Sequence, residues 1–262
     1  MPRISVLIPH FRTEGYLAEA VASILHQTHR DLEVHVVDDA SPGDRWLEVL
    51  APFRGDPRLI LWRSSANGGP YRIKNVLLEK LDSPIIALQD ADDRSHPERF
   101  ARQLAYMDAT GADIVGCWAR YINEAGRPFW LGPVPENVTF WRRMGLRTVM
   151  RHPTAIMRRS VFELLVGFDG TTMVSADEDF IFRAAHVYNI RNVRSCLYDL
   201  RTVQTSLTRA RATGLRSEMR LRYEAQYHAV ERERRHTTDR ARLLQLLVPP
   251  PNDRPIVLNR VS

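Results

Sequence analysis

Three carboxylates in four positions, Asp90, Asp92 and Asp93, follow the apolar run Ile85-Ile86-Ala87-Leu88 and Gln89. Such a run reads as a buried strand, and burial is hostile to charge. Acids leaving the end of a strand repel one another and hold protons tightly unless a cation sits among them. In an extended segment Asp-x-Asp sends both side chains to the same side. That pattern suits a divalent cation on hard oxygen ligands. It also suits a solvated turn before a helix, because Ser95-His96-Pro97 has the composition of a helix start. A second acidic group, Asp177-Glu178-Asp179, opens a helical stripe of Phe180, Ile181, Ala184 and Val187. The helix macrodipole alone favours acids there.

The elements that position these acids alternate along the first half of the chain. Ile4–Ile8 is a short strand closed by Pro9, and Leu17, Val21, Ile24 and Leu25 stripe the helix after it. Leu32–Val37 is a second strand ending in Asp38-Asp39-Ala40-Ser41, with Ser41, Pro42 and Asp44 spaced as a capping box. Leu59–Trp62 is a third strand. Asn67-Gly68-Gly69-Pro70 then breaks the chain before a helix striped by Ile73, Val76, Leu77 and Leu81. The acid-bearing strand, a helix marked by Phe100, Leu104 and Met107, and a strand at Ile114–Trp118 complete the pattern. Strands and helices joined by short links predict an α/β fold, a mostly parallel central sheet flanked by helices on both faces. Ligands of such sheets bind beyond the carboxyl ends of the strands. Phe11, Asp39 and Asp90 to Asp93 all lie just past such ends, so distant loops converge on one cleft.

Beyond Trp118 the rhythm changes. Residues 120–130 read as a hairpin turning at Asn123 to Gly126, and 131–151, lacking any clear period, as a mobile or ligand-covering loop. Thr154–Met157 is strand-like, Ser160 caps a short helix ending near Gly167, and 192–203 is a further strand. Residues 204–208 form a polar loop. Residues 215–247 predict one long helix rich in Arg and Glu, and Val248-Pro249-Pro250-Pro251 opens a linker or extended arm.

The 262 residues are 44% hydrophobic and 26% charged, the composition of an ordinary globular protein, with a net charge of +6. Nearly all the cations are arginine; Lys74 and Lys80 are the two lysines. Cys117 and Cys196 stand apart in apolar segments and read as reduced thiols. No apolar run is long enough to span a bilayer, and Met1-Pro2-Arg3 leads straight into a strand with no secretory leader expected. Together these predict a cytoplasmic protein, placed at the inner face of the membrane if its basic C-terminal helix meets lipid.

In order along residues 3 to 208, several pieces together carry a resemblance: Ser5-Val6-Leu7-Ile8-Pro9 with Phe11, Ser23 to Thr28, Val36-Val37-Asp38-Asp39-Ala40-Ser41, Asn67-Gly68-Gly69, Gln89-Asp90-Ala91-Asp92-Asp93 with Pro97, Arg158 to Phe162, Gly167-Phe168-Asp169 and Asp177 to Phe180. The chain resembles the family 2 inverting glycosyltransferases of the GT-A fold. The resemblance implies a nucleotide-diphosphate sugar donor, with Pro9, Phe11, Asp39, Asn67, Gly68, Asp90 and Ala91 at the nucleotide. Phe11 would lie against the base and Asp39 would accept its imide N–H, which favours UDP and allows dTDP. Asp92 and Asp90, with Asp93 either joining them or holding the loop, would bind Mg²⁺ or Mn²⁺. The general base falls on Asp177, or on Asp179 under a shifted register, since this chain has Ala176-Asp177 where the family more often has Glu-Asp. His152 and Glu178 are expected on the acceptor side, and Arg201 and Arg209 near the diphosphate.

The resemblance divides the chain into a glycosyltransferase domain over 1–210 (nucleotide half 1–118, acceptor half 119–210) and a helical extension and tail over 211–262. Its expected partners are the sugar nucleotide and a hydroxyl acceptor such as a glycan or lipid-linked sugar, as in cell-surface polysaccharide synthesis. The C-terminal helix is expected to mediate self-association or a peripheral membrane contact, and no nucleic acid is expected. A nucleotidyltransferase would need a glycine-rich phosphate loop after the first strand, where this chain has Pro9-His10-Phe11-Arg12. A receiver domain would carry its acidic pair after the first strand rather than the second. The alternative that keeps these residues is an inactive scaffold that binds sugar nucleotide or glycan.

Overall fold

The computed structural model describes residues 3–204, 206, 209–252 and 255–261. Thr205, Leu207 and Thr208 of the polar loop lie outside the described residues.

The nucleotide half alternates as its periodicity requires. Strand β1 (Ile4–His10) leads to helix α1 (Glu14–Leu25), β2 (Leu32–Asp38) to α2 (Arg45–Leu50), and β3 (Leu59–Ser64) to α3 (Pro70–Leu78). Strand β4 (Ile85–Leu88) is followed by the two-residue β5 (Arg94–Ser95) and by α4 (Arg99–Thr110). The second half begins with β6 (Ile114–Ile122), β7 (Pro128–Gly132) and α5 (Val138–Arg143), then β8 (Ile156–Arg158), α6 (Arg159–Leu165), α7 (Ala176–Ala184) and β9 (Ile190–Arg201). Helices α8 (Glu218–His236) and α9 (Arg240–Leu246) and strand β10 (Leu258–Val261) end the chain.

Among the described residues the strands form one sheet in the order β10-β3-β2-β1-β4-β8-β6-β9-β5, with β7 added against β6. β3, β2, β1 and β4 run parallel. β8 runs antiparallel between β4 and β6, so those two strands point the same way and share a carboxyl edge. Alternation along β1 sorts the core into two layers. Ile4, Val6 and Ile8 meet Leu17, Val21 and Ile24 of α1, Trp46 of α2 and Phe100 and Leu104 of α4. Leu7, with Ile86 and Leu88 of β4, meets Ile73 and Leu77 of α3, Leu165 of α6 and Phe180 of α7. Helices therefore cover both faces, as the α/β pattern requires.

Several expectations need correction. Ser160 lies inside α6, whose N-cap is Arg158, and does not cap it. Ser41 does not cap a helix: its hydroxyl accepts the Arg12 N–H (3.1 Å), its own N–H goes to Asp38 (3.1 Å), and α2 starts four residues later. Segment 131–151 holds an ordered helix, α5, whose start is capped by the Asn137 side chain accepting the Phe140 N–H at 3.0 Å. The long C-terminal helix breaks after His236, where Asp239 accepts the Ala241 N–H (2.9 Å) and starts α9. The tail is more than a linker. Its end, β10, pairs antiparallel with β3 and covers what would otherwise be an exposed sheet edge. Segment 211–262 also packs closely on α7: Arg234 of α8 reaches Asp179, and Leu247, Ile256 and Leu258 enter the core.

Candidate active site

The carboxyl edge of the sheet gathers the acids. Where β1 ends, Phe11 stands 41% exposed with the Arg12 guanidinium 5.0 Å from its ring centroid. Beyond β2, Asp39 turns inward. Its two oxygens accept the N–H groups of Gly68 (2.7 Å) and Gly69 (2.8 Å), and the Asn67 amide donates to its carbonyl (3.1 Å). Two loops 28 residues apart are thereby joined through one side chain. Burial is the main influence on that carboxyl; with Asp38 adjacent it outweighs the two N–H donors and pushes the carboxyl up to about 6. Arg12, Ala40 and Ser175 all adopt left-handed backbone (φ 54°, 58° and 58°), which costs non-glycine residues energy and clusters at working sites.

Beyond β4, Asp90 and Asp92 remain partly accessible and Asp93 is buried. Asp93 accepts the Arg201 N–H at 2.6 Å. Of the two roles open to it, this is the one that holds a loop, here against β9. Burial and the neighbouring Asp92 and Asp90 raise its proton affinity well above the carboxylate range. Burial and Asp90 push Asp92 up to about 6; burial also raises Asp90, where Lys74 opposes and Asp177 adds to the effect. No described side chain pairs with the Asp90 or Asp92 carboxylates, and among the described residues no three His, Cys, Asp or Glu side chains form a ready metal cluster. Two hard carboxylates without a hydrogen-bond or ion-pair partner among the described residues are a donor set that fits Mg²⁺ or Mn²⁺.

Asp177 enters from the first turn of α7. Tyr71 of α3 donates its hydroxyl to Asp177 Oδ1 at 2.8 Å. Burial works against the ionised form, but the facing His152 ring, the Tyr71 hydroxyl and Lys74 outweigh it and hold the carboxyl below its usual range. Burial drives His152 down to about 4, so its charge reaches Asp177 only at acid pH. His152 packs edge-on to Phe168 (5.4 Å) and leaves Nε2 buried without a partner.

The runner-up acid is occupied. Asp179 accepts from Arg183 Nε (2.8 Å) and Arg234 Nη1 (3.0 Å) in the interior, where Arg183 also binds the carbonyls of Leu165, Gly167 and Leu247. Glu178, expected at the acceptor, receives Arg147 Nε (3.1 Å) and the Tyr227 hydroxyl (2.7 Å). Arg201, expected at the diphosphate, spends its guanidinium on Glu19 and on the carbonyls of Asp92, Asn123 and Glu124. Arg209 is exposed.

The sequence reading missed Tyr71, Lys74 and Arg99. Arg99, fully buried, binds the Leu88 carbonyl (2.9 Å) and the Pro153 carbonyl (3.2 Å) and so ties the acid-bearing strand to the His152 turn. Lys74 lies 5.8 Å from the Tyr71 ring and 5.7 Å from the Phe168 ring. One signal was available: Lys74 is a buried lysine within the apolar stripe of α3, in a chain that otherwise uses arginine.

The sequence profile described as Glycosyl transferase family 2 matches residues 5–165, more than half the chain. A Bacillus subtilis protein named as a glycosyltransferase, EpsE, is 30% identical over 183 residues, 68% of this chain and 64% of that one. The poly(ribitol-phosphate) beta-N-acetylglucosaminyltransferase TarS of Staphylococcus aureus is 28% identical over 131 residues, 49% of this chain and 23% of its own. This chain thus spans less than two thirds of the length of these relatives. Among solved structures, TarS 1-349 in complex with UDP-GlcNAc superposes with a TM-score of 0.64 at 20% identity, covering 89% of this chain and 72% of that one. A mannosyltransferase from Pyrobaculum calidifontis in complex with GDP-Man and Mn²⁺ gives 0.64 at 18% identity, covering 94% and 68%. At these identities the likeness is one of fold, and the fold is the GT-A arrangement.

Proposed function

The chain belongs to glycosyl transferase family 2, and on that premise we propose that it moves a sugar, with inversion, from a nucleotide-diphosphate sugar to an acceptor hydroxyl. The observation that carries this reading is the meeting of three loop systems at one sheet edge. Asp39 with Asn67 and Gly68 forms the nucleotide end, Asp90 and Asp92 the diphosphate end, and Asp177 the proton-accepting end. Pro9, Phe11 and Ala91 complete the nucleotide wall.

Each Asp39 oxygen spends one lone pair on a glycine N–H and keeps another for the imide N–H of a base. UDP is the favoured donor nucleotide on that ground, and dTDP offers the same edge. Asp92 and Asp90 would hold Mg²⁺ or Mn²⁺. A bound cation there neutralises charge on the departing diphosphate. Asp177, held ionised and aimed by Tyr71, takes the proton of the acceptor hydroxyl as that oxygen attacks the anomeric carbon. His152 stands behind Asp177 on the acceptor side, its Nε2 buried without a partner. Asp179 is a structural ion-pair partner, which leaves Asp177 as the base. A polymeric hydroxyl acceptor, as in cell-surface glycan synthesis, is in keeping with TarS, whose name gives poly(ribitol-phosphate).

Calorimetric titration with UDP, dTDP, GDP and ADP, each with and without Mn²⁺, tests the donor side. Mn²⁺-dependent binding of UDP or dTDP is expected; tight binding of GDP alone would overturn the base assignment. Hydrolysis of the matching sugar nucleotide, lost in Asp177→Asn, tests the chemistry. Nucleotide binding without turnover on any sugar would favour an inactive scaffold.

A further inference from the structure

Most of the apolar side chains of this molecule are buried; β7 and α5 carry one exposed group, and Leu215, Met219 and Leu221 around the start of α8 form another. Phe129 (60% exposed), Trp130 (53%) and Leu131 on β7, and Phe140, Trp141, Met144 (68%) and Leu146 on and after α5, are all exposed; along β7 the sides alternate, so Trp130, paired with Tyr121, lies on one side of the sheet and Leu131, paired with Arg120, on the other. Helix α5 explains half of this. Val138 and Arg142 turn inward, Arg142 onto the Phe182 ring, so Phe140, Trp141 and Met144 occupy the opposite side. The Asn192 amide brings the two parts together, donating to the Pro135 carbonyl (2.7 Å) after β7 and to the Val149 carbonyl (2.8 Å) after α5. Arg151 closes the gap, 6.0 Å from the Trp130 ring centroid.

The charge on this stretch is one-sided. Between residues 127 and 151 the chain carries five arginines and one acid, Glu136. Arg142 and Arg147 are paired to glutamates, whereas Arg127 and Arg143 are exposed and form no ion pair with a described residue. Tryptophan, phenylalanine and leucine flanked by uncommitted arginine suit the headgroup boundary of a bilayer, where rings and aliphatic chains sink below the phosphates and guanidinium groups meet anionic lipid. No helix of the described residues is long and apolar enough to cross a membrane.

We propose that the β7–α5 surface, Trp130 with Phe140, Trp141, Met144 and Leu146, rests on an anionic lipid surface, held by Arg127 and Arg143. The contact thus lies in the second half of the domain, near the His152 turn. An acceptor carried in lipid would then be presented beside the cleft.

Flotation of the whole protein with vesicles tests this independently of any catalysis. Wild type is expected to float with phosphatidylcholine–phosphatidylglycerol vesicles at low salt, to float poorly with phosphatidylcholine alone, and to release in high salt. Trp130→Ser with Trp141→Ser should abolish flotation. Arg127→Ser and Arg143→Ser should each weaken it about fivefold. All four residues are at the surface, and unchanged thermal melting checks that the variants fold. Failure of wild type to float, or flotation undiminished in the tryptophan double variant, overturns the proposal. So would concentration-dependent dimerisation lost in that variant, or oligosaccharide binding lost without any vesicle binding, which would make the surface a contact between copies or a glycan platform.

Discussion

Tyr71→Phe removes one hydroxyl from the cleft wall and keeps the ring in place against Phe168, 5.9 Å away. The lost interaction is a hydrogen bond of 2.8 Å to the carboxylate of Asp177. Bonds to charged acceptors contribute about 1.5–3 kcal/mol, and Asp177 is only half-buried, so the lower end applies. About 1.5 kcal/mol is roughly a tenfold change in the balance between carboxylate and carboxylic acid. The sign is fixed by the donor: a hydroxyl stabilises the ionised form, so its loss makes Asp177 easier to protonate. A base works only when deprotonated. The acid limb of kcat/KM for sugar-nucleotide turnover therefore moves to higher pH, with a loss near tenfold on the acid side and convergence with wild type at high pH. The assay is release of nucleoside diphosphate followed across the pH range, with protein melting checked at each pH. An equal loss at every pH, or an acid limb that does not move, would refute the assignment of Asp177 as the base oriented by Tyr71.

Asp177→Asn should lower turnover by about 10²- to 10⁴-fold and leave the melting temperature near that of wild type, as measured by steady-state kinetics and calorimetry. Arg183→Met behaves oppositely: it strips Asp179 of a buried partner at 2.8 Å and should cost about 3–5 kcal/mol of stability, a fall in melting temperature of about 10 °C for a domain of this size. Asp39, pushed up to about 6 by burial, loses acceptor capacity as it protonates. In metal-free buffer, binding of UDP should weaken as pH falls through about 6, and the same calorimetry on Asp39→Asn should show a smaller pH dependence, the remainder belonging to Asp92, also near 6. Chelation of divalent metal should reduce UDP affinity in wild type but not in Asp92→Asn, since the carboxylate that links metal to diphosphate is already absent there. Gly167→Ala should destabilise the fold, because Gly167 has φ +73° and an added Cβ would meet Asn75 Oδ1 at 2.4 Å; chemical denaturation reads the loss.

The sequence by itself determined the layered α/β fold, because periodicity and chain punctuation are local properties. Alternation in Ile4–Ile8, the glycines after Asn67 and the acids after Leu88 each mark an element without knowledge of its neighbours. It also determined that Phe11, Asp39 and the Asp90 group share an edge, since parallel strands leave no other arrangement. The tertiary structure alone decided what each acid meets. Asp177 and Asp179 sit two positions apart and read alike along the chain, yet one meets Tyr71 from α3 and the other meets Arg234 from α8, more than fifty residues away. Asp92 and Asp93 part in the same way, the second turned to the Arg201 N–H of β9. Lys74 and Tyr71 gain their roles only because α3 packs against α7. The end of the tail, polar and proline-flanked, is a strand only because β3 offers it an unpaired edge. Local pattern fixes which way a side chain can point, and long-range packing fixes what it finds there.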